Sequence, residues 1–337
     1  MLIAARVLST DFRYFVSNEL DGLEEETRRV YRALSKPKPS DLFAVRRFMV
    51  MSLAESELEQ LLSIPQRSLP PSYPPVHLHR AKHVDQAIAA AHAERTRLKL
   101  GNAPVPNVFD IMRSQGCRLL RHVLEDSALS GLTVMHPTAG ISVLVNYYDD
   151  MYRQFFSAAH EYAHVLFDRE SISNAGCVVS YRYSKNELIE LRANRFAAHF
   201  LLPPAALERY DRPQNVDELL STIRNVALDY RVNTETVVFR MLETGWITQR
   251  TAESFREKKP VKIKRKEKRD PDVPDGLTEA QRNRREKAVQ TGVSSRLLEL
   301  LRVALVNGQI TFARFAEILD LTVSEADDFA QAMGIAL

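Results

Sequence analysis

From Met151 to Arg169 the chain runs without proline or glycine, and inside that stretch His160, Glu161 and His164 form a His-Glu-x-x-His pattern. Phe155, Phe156, Ala159, Ala163 and Leu166 recur around it at helical spacing, which predicts a helix buried over most of its surface. One turn separates His160 from His164, so their imidazoles share a face while Glu161 projects beside them. Two imidazoles and a carboxylate on an apolar helix each need a partner to offset desolvation. A metal ion held by both imidazoles meets that need, and the pattern is that of a zinc hydrolase.

At 337 residues and 45% hydrophobic content the chain has room for two or three domains with real cores. Its two cysteines, Cys117 and Cys177, lack metal-type spacing and suggest no disulfide framework, which fits a reducing cytoplasm. The apolar start from Met1 to Leu8 is too short for a signal peptide, with Asp11 and Arg13 close behind. No run approaches the roughly 18 apolar residues of a membrane span. The net charge of +3 hides one uneven region, Lys258 to Arg269, where Glu267 is the only acid among eight basic residues.

Residues up to about 62 read as helical, with Phe12, Phe15, Val16 and Leu20 on one stripe and a second apolar region from Leu42 to Leu53 beyond Pro37 and Pro39. The proline-dense stretch from Ile64 to Pro75 reads as an extended linker or a strap over a neighbouring surface and marks a boundary. A helix is expected from Ala81 to Leu100 and another from Pro106 to Gly116. Short β segments follow at Cys117 to His122, Gly131 to His136 and Ile141 to Asn146, forming a small antiparallel sheet. His136, beside a turn, reads as a surface residue. Asp168 to Tyr183 reads as a polar loop. A new helix then starts near Ser184, with Glu187 at a capping-box position, and Pro203 and Pro204 stop it.

A catalytic zinc takes three protein ligands and keeps one position open. Glu170 lies six residues beyond His164, but that arrangement needs a glycine to break the helix, and Phe167 stands in its place. Glu187 and Glu190 both sit on the following helix. Ala193 and Ala197 continue the Glu190 face as a small-residue stripe that can approach Ala159 and Ala163 closely. This favours Glu190 as the third ligand, with Glu187 as its rival.

His160-Glu161-Tyr162-Ala163-His164, followed by Glu190-Leu191-Arg192-Ala193-Asn194 and Leu201-Leu202-Pro203, resembles the ImmA/IrrE family of metallo-endopeptidases. The resemblance covers about half the chain, from His79 to Ile247. It implies a bacterial or phage-encoded zinc peptidase with a gluzincin-like site, acting on a helix-turn-helix repressor in stress response or mobile-element control. It agrees with Glu190. Longer members resemble fusions to an N-terminal helix-turn-helix, and Met1 stands where such a module would already have ended, so DNA binding through it is not expected.

Two neutral imidazoles and one carboxylate would leave a single Zn2+ with a net charge of about +1, enough to make a bound water acidic near neutral pH. Glu161 is then the general base. Asn194, one turn beyond Glu190, can orient a ligand. Tyr181, Arg182, Tyr183 and His199 are the oxyanion donors within sequence reach; of these Tyr181 and Tyr183 are retained, because His199 lies half a turn off the Glu190 face and reads as structural.

Leu207 to Trp246 has a helix-turn-helix-like outline, with Asn233 or Thr234 as cap. The charged, proline-interrupted 257–290 reads as a flexible linker. Its basic tract suits weak, non-specific contact with nucleic acid through phosphates. Ser294 to Leu337 reads as a small helical unit. The expected fold is therefore α+β: a mainly helical, zincin-like core at 76–205, a helical N-terminal region at 1–75, a helix-turn-helix-like extension at 206–256, a linker at 257–290 and a helical unit at 291–337. The competing expectation is a regulatory or antitoxin-like binding protein with a structural or sensing zinc. Glu161 separates the two, because a binding module needs ligands and has no use for a base.

Overall fold

The computed structural model describes residues 27, 29–34, 37–65, 68–73, 79–124, 128–170, 172, 176–181 and 188–335. The stripe from Phe12 to Leu20 lies outside these residues. A short helical turn at 29–33 precedes α1, Pro39–Leu61. Pro39 opens that helix, where its missing N–H costs nothing, and Asp41 Oδ2 accepts from Lys38 N at 2.9 Å. After it come α2 (Arg80–Arg97), α3 (Val108–Ser114), β1 (Arg118–His122), β2 (Leu129–His136), β3 (Gly140–Asn146), α4 (Met151–Phe167), β4 (Cys177–Tyr181) and α5 (Leu188–Leu201). The chain continues through α6 (Val216–Tyr230), α7 (Thr234–Glu243), α8 (Gln249–Lys258), α9 (Glu279–Gln290), α10 (Ser295–Val306), α11 (Phe312–Leu319) and α12 (Val323–Ala332). The fold is mainly helical α+β.

The four strands lie in the order β1-β3-β2-β4. The β2–β3 and β2–β4 pairs are antiparallel, whereas β1 pairs parallel to β3, Leu120 opposite Leu144. The sheet is thus mixed. The expectation of an antiparallel sheet fails at β1, an edge strand that reaches the sheet before the β2–β3 hairpin and pairs with the hairpin's second strand in the same direction. The fourth strand lies inside the stretch expected to be a polar loop, because Val178 and Val179 give too short an apolar run to stand out.

Strand alternation divides the sheet into two buried faces. Leu119, Ile141, Val143 and Val145 join a core built with α2 to α8, while Leu120, Leu132, Val134 and Leu144 join a second core with α1 and α10 to α12. A β-bulge between Leu129 and Gly131 breaks the alternation, so that Leu129 sits on the same face as Leu132, and Gly131 and Thr133 face α4. Bulges commonly re-aim a strand beside a functional site.

α4 starts at Asp150, whose side chain accepts from Tyr152 N, and packs on β2, β3 and α5. Ala159, Ala163, Ala193 and Ala197 are all buried between the two helices. Within the proline-rich segment, residues 68–73 run against the end of α4: Tyr73 N donates to Leu166 O at 2.8 Å, its hydroxyl reaches Glu94 at 3.0 Å, and Arg169 donates to Pro70 O at 2.7 Å. It crosses the end of α4 on its way from one core to the other.

On the far face of the sheet the two ends of the described chain meet. Arg47 of α1 donates to Thr291 O at 2.8 Å and Leu319 O at 2.9 Å, and Glu59 bridges Arg118 at 2.6 Å and Arg296 at 3.1 Å. The 257–290 stretch is not the flexible tether its composition suggests. Val261 and Ile263 pack against the α4 core, and Asp272 is buried with Arg113 and Arg121, each at 2.8 Å. Burial pushes the Asp272 carboxyl up, but the two guanidiniums outweigh it and hold it well below the usual carboxylate range.

α6 and α7 are joined through Arg231 in the left-handed region, and α7 is capped by Asn233, which accepts from Thr236 N at 2.8 Å. Their second helix is packed away: Val237, Val238 and Met241 are fully buried, and Arg240 donates to Leu202 O. Its outward residues include the acids Glu235 and Glu243, which suit no contact with DNA phosphates.

Candidate metal centre

His160 and His164 stack along one face of α4 with ring centroids 4.8 Å apart and their Nε2 atoms 3.1 Å apart. Glu190 enters from the first turn of α5, placing Oε2 3.3 Å from His160 Nε2 and Oε1 3.4 Å from His164 Nε2. All three residues are buried, and among the described residues they are the group of His, Cys, Asp and Glu side chains arranged to hold a metal ion. Glu170, one turn past the end of α4, is exposed. Glu187 lies outside the described residues.

Hydrogen bonds behind the rings set what the Nε2 atoms present. His160 Nδ1 donates to Asn194 Oδ1 at 3.1 Å, and His164 Nδ1 donates to Asp168 Oδ2 at 2.9 Å. With both protons on Nδ1, both Nε2 lone pairs point at each other and at a carboxylate. Three electron-rich atoms at these distances repel unless a cation lies among them. The electrostatics express the same demand. Burial lowers the His164 pKa, yet Asp168, Glu190 and Glu161 outweigh it and push it up to about 10. Burial raises Glu190, yet the two imidazoles bring it down to about 2. A proton can meet the demand in part; a metal ion meets it with all three donors.

Glu161 is fully buried, with its carboxylate against the sheet and close enough to act on His164 electrostatically. Its Oε2 accepts from Thr133 Oγ1 at 2.6 Å, and its Oε1 has no hydrogen-bond partner among the described residues. Gly131 makes room for it: a β-carbon built there would lie 2.3 Å from Oε1. A buried carboxylate oxygen left without a donor is costly unless water or substrate supplies one.

Asp168 is itself held by Arg192, whose guanidinium bonds Oδ1 and lies 4.7 Å from the centre of the Phe167 ring. Arg192 is two residues past Glu190, so one helix carries a ligand and the anchor of another ligand's support.

Of the residues singled out in the sequence, the structure brings His160, His164, Glu190 and Asn194 together with Glu161 close by; Gly131, Thr133, Asp168 and Arg192, which join them, were not singled out. Asp168 was within reach, since it follows His164 by one helical turn. Gly131 and Thr133 were not, because no local pattern says which strand lies beneath α4. His199 is remote from the cluster in its bonding, tied to Glu243 at 3.0 Å and Arg240 at 2.7 Å. His136 is buried, not on the surface as expected: its Nδ1 accepts from Thr138 N and Ala139 N and pins the β2–β3 turn. Tyr181 ends β4; its side chain, and all of Arg182 and Tyr183, lie outside what is described.

No curated protein matches the chain. Residues 112–242 match the family model of the IrrE N-terminal-like domain of M78 peptidases. The matched span runs from α3 into α7 and contains the converging ligands, Glu161 and the strands beneath them. Residues 112–242 are thus similar to the IrrE N-terminal-like domain of M78 metallopeptidases.

Proposed function

We propose that the chain is a zinc-dependent endopeptidase that hydrolyses a peptide bond in a regulatory protein. The carrying observation is the convergence of the His160, His164 and Glu190 donor atoms beside a base whose second oxygen is free. Zinc bonds of about 2.0–2.2 Å at tetrahedral angles place neighbouring ligand atoms about 3.3 Å apart. The three separations here are 3.1, 3.3 and 3.4 Å. Two imidazoles and one carboxylate also form a donor set that zinc hydrolases use, with one position left for water or substrate.

When bound, zinc would polarise the scissile carbonyl and make a water acidic near neutral pH. The chain's own residues do the rest. Glu161, fixed through Oε2 by Thr133, takes a proton from the attacking water on Oε1 and returns it to the leaving amine. Asn194 and Asp168 hold the imidazoles in the tautomer that leaves Nε2 free to ligate. Tyr181 and Tyr183 are the proposed donors to the developing oxyanion. Helix-turn-helix repressors are the proposed substrates and stress response or mobile-element control the setting, on the strength of the family resemblance; the proposed compartment is the cytoplasm. Among the described residues no helix is long and apolar enough to cross a membrane.

Glu161→Gln tests the assignment, because the amide keeps the shape but cannot accept the proton. The variant keeps its metal and fold and loses roughly a hundredfold or more in cleavage rate. In cells it traps the substrate that the wild type cleaves, so comparing captured proteins identifies the target. Cleavage at a near wild-type rate by Glu161→Gln would remove Glu161 from the mechanism.

A further inference from the structure

The basic tract after α8 is presented as a fixed ridge. Val261 and Ile263 turn into the α4 core while Lys262 and Lys264, on the alternate positions, are exposed. Arg224 of α6 donates to Lys262 O at 3.2 Å and also bonds Glu267. Downstream, Lys268 is pinned to Asp150 at 2.6 Å and lies 4.8 Å from the centre of the Tyr152 ring. Asp272 then enters its buried pairs. Backbone and apolar side chains therefore hold the tract at both ends, and its charges face outward.

Lys258, Lys259, Lys262, Lys264 and Arg265 are exposed. Of these, Lys258, Lys259, Lys262 and Arg265 make no ion pair among the described residues, although Glu257 adjoins them in sequence. The one acid within the tract, Glu267, is occupied by Arg224 and by the Lys264 backbone N–H. Like charges fixed side by side repel, and a fold that pays this cost on an anchored segment gains only when an anion spans them.

We propose that residues 258–265 bind the phosphate backbone of double-stranded nucleic acid. A duplex supplies closely spaced anions to match a row of cations, and neutralising them releases counterions. The tract carries no aromatic side chain, so it has nothing on which the bases of a single strand could stack. Its large apolar residues, Val261 and Ile263, pack inward, which leaves no bulky apolar side chain to insert into a lipid surface. The contact reads no sequence, because contacts to phosphates fix position and carry no base information. This surface stands on charge and anchoring alone, independently of the metal centre.

The test is fluorescence anisotropy of a labelled duplex of scrambled sequence against the full-length chain over a salt series. Five phosphate contacts give a slope of log K on log salt of about −4.5, or about −0.9 per contact. Lys258→Gln, Lys259→Gln, Lys262→Gln and Arg265→Gln together reduce the slope to about −1 and weaken binding at least tenfold at low salt. These positions are exposed, so circular dichroism and metal content stay at wild-type values. The metal-free protein and Glu161→Gln bind the duplex as the wild type does, which separates this surface from the peptidase reading. Absence of duplex binding at low salt, or binding that survives the fourfold substitution, would overturn the proposal. So would equal or tighter binding to a single strand, to polyglutamate or to phosphatidylserine vesicles.

Discussion

Gly131 and Glu161 meet between sheet and helix with no space for a methyl group: a β-carbon on Gly131 would lie 2.3 Å from Oε1 and 2.8 Å from the carboxyl carbon of Glu161. The glycine is required here by proximity, since its backbone is in an ordinary strand conformation. Gly131→Ala must push Glu161 off Thr133 or displace α4. Overpacking of this kind costs about 1–3 kcal/mol, and a base moved by about 1 Å costs on the order of a hundredfold in rate. The expected result is a lower melting temperature with metal content unchanged. An alanine variant as stable and active as the wild type would mean that the carboxylate has room the structure does not show.

Thr133 holds the same carboxylate from below. Thr133→Val keeps the volume and leaves Glu161 Oε2 without its donor, at a cost of about 1–3 kcal/mol in denaturant unfolding. Thr133→Ser retains the hydroxyl and recovers most of that loss.

Asp168 and Arg192 support His164 from the side away from Glu190. Asp168→Asn keeps an acceptor but removes the charge, and Asp168→Ala removes both. The alanine variant loses about ten- to a hundredfold in metal affinity, measured by chelator competition, and the asparagine variant loses less. Arg192→Met leaves Asp168 as a buried carboxylate without its cation and lowers stability as well as affinity.

The sequence made the ligand helix legible because its chemistry is local: His160, Glu161 and His164 lie within one turn and a half. Glu190 was reached through the alanine stripe it shares with Ala193 and Ala197, a pattern of packing written in spacing. The parallel placement of β1, the bulge at Ser130 and the burial of His136 were not legible. Each depends on partners distant in the chain, and a strand's own residues do not state its neighbours. The 257–290 stretch misled for a related reason. Its composition is that of a tether, and only Val261, Ile263 and Asp272, few among many charges, dock it.

Asp272 makes that docking sensitive to acid. Its folded-state pKa is held below the unfolded value, so below about pH 4 the unfolded chain takes up the proton first. The contribution is therefore fully present above about pH 4 and is lost progressively as pH falls towards the depressed folded value. Asp272→Asn strands Arg113 and Arg121 and costs about 3–5 kcal/mol at neutral pH. Its unfolding free energy also changes less between pH 5 and pH 3 than that of the wild type. Denaturant unfolding at these pH values checks both statements, and a wild-type stability for Asp272→Asn would show that the arginines find other partners.

The most direct test of the metal centre is the zinc content of the purified chain and of its ligand variants, by elemental analysis after dialysis. The account predicts one zinc per chain, lost in the His160→Ala, His164→Ala double variant and greatly weakened in Glu190→Ala, with Glu187→Ala close to wild type. Stoichiometry unchanged by the double histidine variant would place the metal elsewhere and contradict the account, and a Glu187→Ala loss exceeding that of Glu190→Ala would contradict the assignment of the third ligand.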